Sequence, residues 1–341
     1  MKKIFSKTIP LSLLLIGLIV PLNAQETETS PKPMRRKVIP IPATSLNDKT
    51  KTFTNSLGMV FKKVKGVDPM VSIFETRVCD FERFVNVTGY RVGTMKSFRI
   101  KEDKGKGWYV SLDENGETWN KTEFPQNGKH AVAGVNEGDA LSFAKWLTEK
   151  DSKEGLIKEG DFYRLPRNCE FDVLVGLKPL AKGESSMKRS IDFQKKYLDN
   201  KWRDLMKAGD LSFHWGNYWP ATSLDGNFHS QESFKAKLIE LPNDAYTGVY
   251  KNFRSDGYAY TAPVGTYNAD TNGLYDIAGN VYEIIEAYGE SDDVEKKYFI
   301  RGTAWNSNWD WEFFPSNADM RPNDERHSNI GFRLVLEAKK K

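Results

Sequence analysis

Cysteine is almost absent from this chain. Of 341 residues only Cys79 and Cys169 are cysteines, and none follows position 169. A multi-bridge disulfide framework is therefore excluded. Histidine is also scarce, with four residues. His130, His214, His229 and His327 are too scattered to read as a metal cluster, and each reads as a surface or hydrogen-bonded core residue. A one-sided charge is missing too, with 50 Lys and Arg against 46 Asp and Glu. That near balance gives no electrostatic footprint for nucleic acid. The basic runs at 35–37 and 339–341 are short and read as solvated tails. Beyond residues 11–20 no stretch is apolar enough to span a bilayer. No internal repeat, P-loop, dinucleotide motif or Ser/His/Asp set stands out. The pair Gly105 and Gly107 lacks the spacing of a phosphate-binding loop.

The N-terminus carries Lys2 and Lys3, an apolar segment over 11–20, and small Ala24 before Gln25. That order reads as a signal peptide over residues 1–24, cleaved at Ala24, with the mature chain exported to a periplasmic or extracellular space and holding no membrane span. Export permits a disulfide between Cys79 and Cys169, and two buried free thiols are the other reading. Residues 25–51 are rich in Thr, Pro, Lys and Glu, lack periodicity and read as a disordered tether. Order begins near Phe53, with a strand expected over 60–64. Phe81, Phe84 and Val85 mark one helix over 78–87. Ala140, Phe143, Ala144 and Leu147 mark a second over 137–149, and a third follows Pro166. Residues 90–130 read as short strands and loops. Residues 178–212 read as a charged, helix-prone insertion, and 337–341 as a basic tail.

Three ordered phrases carry the family signal: Asn272-Gly-Leu-Tyr-Asp-Ile-Ala-Gly-Asn-Val-Tyr-Glu283, Phe299-Ile-Arg-Gly-Thr-Ala-Trp305 and Asn329-Ile-Gly-Phe-Arg-Leu334. Earlier blocks agree in order: Phe74-Glu-Thr-Arg-Val78, Ala131-Val-Ala-Gly-Val-Asn-Glu-Gly-Asp-Ala140, Tyr163-Arg-Leu-Pro-Arg-Asn-Cys-Glu-Phe171, Phe213-His-Trp-Gly-Asn217 and Ala262-Pro-Val-Gly265. Over residues 53–336 the chain resembles the formylglycine-generating enzyme, or sulfatase-modifying factor, family. The resemblance implies an α+β, C-type-lectin-like fold with little regular secondary structure. Within it Gly273 and Gly279 read as turn glycines. Arg164, Arg301 and Arg333 read as buried structural guanidiniums ahead of substrate clamps.

Asp276, Gly279, Val281 and Glu283 stand three, two and two residues apart. A loop of that length can turn two carboxylates and two carbonyls toward one point, which suits Ca²⁺. The resemblance places a structural calcium here, with carbonyls from Gly279 and Val281. It also implies a second calcium at Asn227, Phe228, Asp256 and Tyr258, where an ordinary Asp-Gly turn is the alternative.

The family oxidises a substrate cysteine through its own thiolates near the Arg-Gly-x-x-Trp phrase, which hold Cu(I). Here that stretch contains no cysteine, so copper is not expected and neither is formylglycine generation. What stands there is Trp305, Asn306, Asn308, Trp309, Asp310 and Trp311, followed by Phe313 and Phe314. Rigid aromatics between amides and carboxylates suit a surface for a peptide, glycan or protein partner. Aromatics filling a lost active site are the competing reading. The leading expectation is an exported, non-catalytic domain binding through 301–328. The alternatives are an enzyme with a cysteine-free site using carboxylates such as Asp310, Glu312, Asp319 and Asp324, a structural envelope component, and a variable lectin-like binder of the kind found with diversity-generating retroelements.

Overall fold

Two sheets and three helices meet around aromatic side chains in the computed structural model, which describes residues 51–103, 107–180, 185–198, 204, 206–207, 213–218, 221–230, 232, 255–286, 297–307 and 310–339. All of these fall in the unit Pro40–Lys341. The signal peptide and residues 25–50 of the tether lie outside the described residues. Among those described, no helix is long and apolar enough to cross a membrane.

The first sheet holds β1 (Thr52–Thr54), β2 (Val60–Lys63), β3 (Met70–Ser72), β6 (Phe162–Arg164) and β11 (Val335–Glu337), in the order β1-β2-β3-β11-β6. All its pairings are antiparallel. The last strand thus lies between an early strand and a middle one. Its register sets Val335 opposite both Val71 and Arg164. β11 includes Glu337, the first residue of the tail read from composition. Arg164 explains this, since its guanidinium pairs with Glu337 and with Glu170.

The second sheet runs β10-β7-β8-β9, from Ile330–Gly331, Tyr282–Ile285, Lys297–Arg301 and Ala318–Pro322. β10 is parallel to β7, and the other pairs are antiparallel. β7 and β8 carry two of the signature phrases side by side, with Glu283 opposite Arg301. A separate hairpin joins β4 (Ser97–Asp103) to β5 (Gly107–Asp113). These seven-residue strands are longer than the pieces expected for 90–130.

α1 (Val78–Thr88) buries Val78, Phe81 and Phe84 on one face. It stops where Gly89 takes φ 68 and donates to the Val85 carbonyl. That left-handed position has no steric cost for glycine. α2 (Glu137–Lys153) begins with a reciprocal cap in which the Asn136 side chain accepts from Asp139 N–H and the Asp139 carboxylate accepts from Asn136 N–H. The box satisfies two donors that a helix start leaves unpaired. α3 (Asn168–Leu174) follows Pro166. α4 (Ser186–Leu198) lies in the expected insertion, the rest of which is only partly described.

Phe81 joins these pieces: its ring contacts Phe84, Trp119, Phe143 and Phe332 at centroid distances of 5.5, 5.1, 5.9 and 6.3 Å. Edge and tilted contacts of this kind fit the ring quadrupole. A second cluster packs α3 against β3, β7 and β8 through Phe171, Val71, Ile285 and Phe299. A third gathers Phe213, Phe228, Phe313 and Phe314. The two cysteines form no disulfide. Each is free and exposed, on α1 and α3 respectively.

Candidate functional site

The three signature arginines face inward. Arg333 is fully buried, gives Glu283 two hydrogen bonds of 2.6 Å, and reaches the carbonyls of Ser72 and Tyr275 at 3.2 and 2.9 Å. Arg301 donates to Asn168 Oδ1 at 2.6 Å, Asp172 Oδ1 at 3.1 Å, and the carbonyls of Asn317 and Pro315. Its guanidinium also lies 5.3 Å from the Phe171 ring centroid. Arg164 binds Glu170, Glu337 and the Leu165 carbonyl. A planar fork with five donors can tie several acceptors at once, which a lysine cannot do. These residues brace the scaffold, and their donors are directed into the protein.

Around Arg333 the loop between Tyr275 and β7 makes unusual turns. Asp276 and Asn280 have φ of 55° and 63°, and Gly279 has φ of 90°. A Cβ on Gly279 would lie 2.7 Å from the Asn227 carbonyl oxygen, so only glycine allows the two chain segments to approach. Asn280 donates to Glu75 Oε2 at 2.6 Å, and Val281 N–H donates to Glu75 Oε1 at 3.2 Å. Glu75, Asp276 and Glu283 are all buried, with Arg333 as the guanidinium among them. Burial pushes the Glu75 carboxyl well up, and the charges of Asp276 and Glu283 push it further. Burial lifts Asp276 to about 6. Burial also raises Glu283, against the pull of Arg333.

The two calcium donor sets differ in fit. At the first, Asp276 Oδ2 accepts from Gly265 N–H at 2.7 Å, while Oδ1 is buried and takes no hydrogen bond. That oxygen suits a hard cation. Glu283, in contrast, has both oxygens engaged by Arg333. At the second, Asn227 Oδ1 is buried with no partner. Asp256 accepts from Phe228 N–H at 3.0 Å and Tyr258 N–H at 3.1 Å, and burial lifts its carboxyl to about 7. The Asp-Gly turn and the unpartnered amide oxygen thus coexist there. Among the described residues no group of three His, Cys, Asp or Glu side chains is placed to hold a metal ion. Backbone carbonyls would have to complete either shell.

The segment after Arg301 is largely filled. Trp305, expected on a ligand-facing surface, is 2% exposed; its indole N–H donates to the Ser328 carbonyl at 3.1 Å and its ring lies 4.9 Å from Tyr260. Asn306 is half-buried and its Oδ1 accepts from Asn329 at 2.9 Å. Asn308 and Trp309 lie outside the described residues. Asp310 opens a short 3-10 turn, Asp310–Phe313, and only its backbone is described. Trp311 is half-buried against Phe213, Phe228, Phe313 and Phe314.

A polar chain runs beneath this turn. Ser307 Oγ accepts from Ala304 N–H at 3.0 Å and lies 3.0 Å from the Tyr282 hydroxyl, which donates to Glu312 at 2.8 Å. Burial first, then the Glu312 charge, hold the Tyr282 phenol well above its ordinary range. Ser307 is 1% exposed, out of reach of a substrate. Of the other carboxylates, Asp319 pairs with Arg321 at 2.5 Å. His130 and His327 are tied to Thr261 and Glu325 at 3.2 and 2.8 Å.

A cavity of about 490 Å³ opens elsewhere, where the end of α3, the 213–218 turn and the 268–278 segment meet. The 213–218 turn closes on itself through Phe213 and Gly216, whose backbones exchange hydrogen bonds of 2.9 and 3.0 Å. Trp215 stacks on Phe213 at 5.0 Å and meets Phe228 and Phe313 edge-on at 5.6 and 6.2 Å. Its indole N–H donates to the Tyr218 carbonyl, and the Tyr218 hydroxyl donates to Asp225 at 2.7 Å. Opposite, Asp270 accepts from the N–H groups of Asn272 and Leu274, closing its own turn. His214 also lines the cavity; burial and the nearby Arg301 charge lower it to about 4, leaving it neutral. In the sequence, 213–217 stands only as one of the ordered family phrases. The available signal was its aromatic and amide content, matched by the run Asn268-Ala-Asp-Thr-Asn272. Their meeting depends on long-range packing.

The family model for the sulfatase-modifying factor enzyme 1-like domain matches residues 25–338. No curated protein matches. Among solved structures, the chain is similar to PvdO from Pseudomonas aeruginosa, at 16% identity and a TM-score of 0.46, covering 83% of this chain and 82% of that one. It is similar to CarF at 17% identity and a TM-score of 0.44, covering 79% and 86%. Treponema denticola variable protein 1 aligns at 15% identity and a TM-score of 0.38, covering 84% and 94%.

Proposed function

We propose, from the premise that the chain belongs to the sulfatase-modifying factor enzyme 1-like family, that it is an exported member that binds a ligand and does not oxidise cysteine. The observation that carries this reading is the filling of the segment after Arg301. Where the family's chemistry needs thiolates, this chain has Trp305 and Ser307 buried and hydrogen-bonded, and no cysteine at all beyond position 169. A hydroxyl cannot replace a thiolate toward Cu(I), because the ion selects soft sulfur.

The aromatic residues of that segment support ligand binding indirectly. Phe313 backs Trp215, a wall of the cavity, and Trp311 packs in the same cluster. A concave site of this volume, with aromatic walls and a few polar groups, has the make-up of a ligand pocket. The N-terminal pattern of Lys2, Lys3, the apolar 11–20 stretch and Ala24 supports export. Structural calcium at Asn227 and Asp256, with Asp276 as a second position, is part of the same proposal. Asn227 Oδ1 and Asp276 Oδ1 are the oxygens that support it.

Ligand-observed NMR with a library of polar fragments tests the cavity. Ala269 lines the cavity and is exposed, so Ala269→Trp fills it without removing a polar group. Fragments bound by the native chain should be released in this variant. Retention of every bound fragment by Ala269→Trp would contradict the placement.

A further inference from the structure

We propose that this cavity takes a neutral saccharide, a ligand class that rests on the reading of the chain as a ligand-binding protein. Two aromatic rings are held in place before any ligand arrives. Tyr218 is 43% exposed, yet its hydroxyl is anchored on Asp225 at 2.7 Å. Trp215 is fixed by its indole bond to the Tyr218 carbonyl and by its stack on Phe213. Rigid amphipathic rings give contact area at little entropic cost, and they suit the C–H faces of a sugar ring.

The polar groups point the same way. Asn217 and Asn268 are exposed, line the cavity, and among the described residues their side-chain amides have no protein partner. An amide offers two donors and an acceptor, matching hydroxyls that both donate and accept. Of the three carboxylates that line the cavity, Asp225 and Asp270 are already engaged, and the one open oxygen of Asp276, Oδ1, is itself buried away from a ligand. Asp225 accepts from Tyr218 and from Thr222 N–H, and Asp270 accepts from two backbone N–H groups and from Asn272 Nδ2. A cationic side chain would need carboxylate oxygens free to receive it. Among the described residues no Lys or Arg lines the cavity. Sulfated or uronic-acid sugars would therefore meet negative charge without compensation. A neutral polyhydroxylated ring satisfies all three conditions.

Saturation-transfer NMR and calorimetry on the mature chain test this. The probes are neutral hexasaccharides (cello-, malto-, manno-, xylo- and chitohexaose), a heparin hexasaccharide, trigalacturonate and an oligolysine peptide. At least one neutral probe should bind. Asn268→Ala should weaken it by about five- to tenfold, the loss of one neutral hydrogen bond. Tyr218→Ala should weaken it further, and Ala269→Trp should abolish it, each with an unchanged circular dichroism spectrum. The proposal is overturned if no neutral probe binds, if binding survives Ala269→Trp, or if only a charged probe binds. When the saccharides fail but Ala269→Trp still releases other fragments, the ligand class falls and the cavity reading stands. When nothing is released, both fall.

Discussion

Arg333 and Glu283 form a buried pair with both side chains at or below 1% exposure. Removing one partner leaves an uncompensated charge in a low-dielectric interior. Arg333→Leu should therefore lower unfolding free energy by about 3–5 kcal/mol in urea titrations; a loss below about 1 kcal/mol would show that the pair is not buried as described. Gly279→Ala should also be severe, since it combines φ 90° with a 2.7 Å contact to the Asn227 carbonyl. Strain at a left-handed position alone costs about 1 kcal/mol or more, and the contact adds to it. At this scale the sequence was legible for roles. Buried guanidiniums and turn glycines follow from residue chemistry inside a loop-rich chain. Their partners were not legible: Glu75 meets Asn280 from 205 positions away, and nothing local announces such a pairing. Trp305 shows the same limit, since composition favours an aromatic surface as readily as a filled interior.

Helices were the easiest elements to read. The apolar spacing of α1 and α2 is local, and local signals survive folding. Asn136→Ala removes the α2 cap and a 2.8 Å bond to the Asn323 carbonyl. It should cost about 1–2 kcal/mol, measured as a lower urea midpoint at unchanged slope. Strands were harder. β10 has two residues and β3 and β11 have three each, too few for an alternation pattern to register. The cavity escaped for a related reason. It is made where three separate segments meet, and each reads alone as an ordinary turn.

For the molecule as a whole, acidic groups buried without matched cations set the pH response. Folded-state pKa values near 7 for Asp256 and 6 for Asp276 lie above their ordinary 3.8. Between about pH 4 and 7 the folded chain thus retains protons that the unfolded chain has released, and unfolding free energy falls as pH rises through that window. Glu75 acts in the same direction. In a chelator, the melting temperature should be higher at pH 5 than at pH 7.5. Calcium binds the ionised carboxylates, so at pH 7.5 it should restore stability, by about 2.7 kcal/mol at a hundredfold excess over Kd. Equal melting curves with calcium and with chelator at pH 7.5 would remove both calcium positions. The fold of the family was legible from the order of eight short phrases. Of the chemistry only the missing cysteines were legible, because thiols are visible in a sequence and a cavity is not.

The proposal that this chain does not oxidise cysteine is open to one direct measurement. The protein is incubated with a peptide bearing the sulfatase cysteine motif, Cu(I), a thiol reductant and oxygen, and the mixture is followed by mass spectrometry and aldehyde-specific labelling. The peptide should be recovered with its cysteine unconverted to formylglycine. An aldehyde product that depends on the protein would contradict the account.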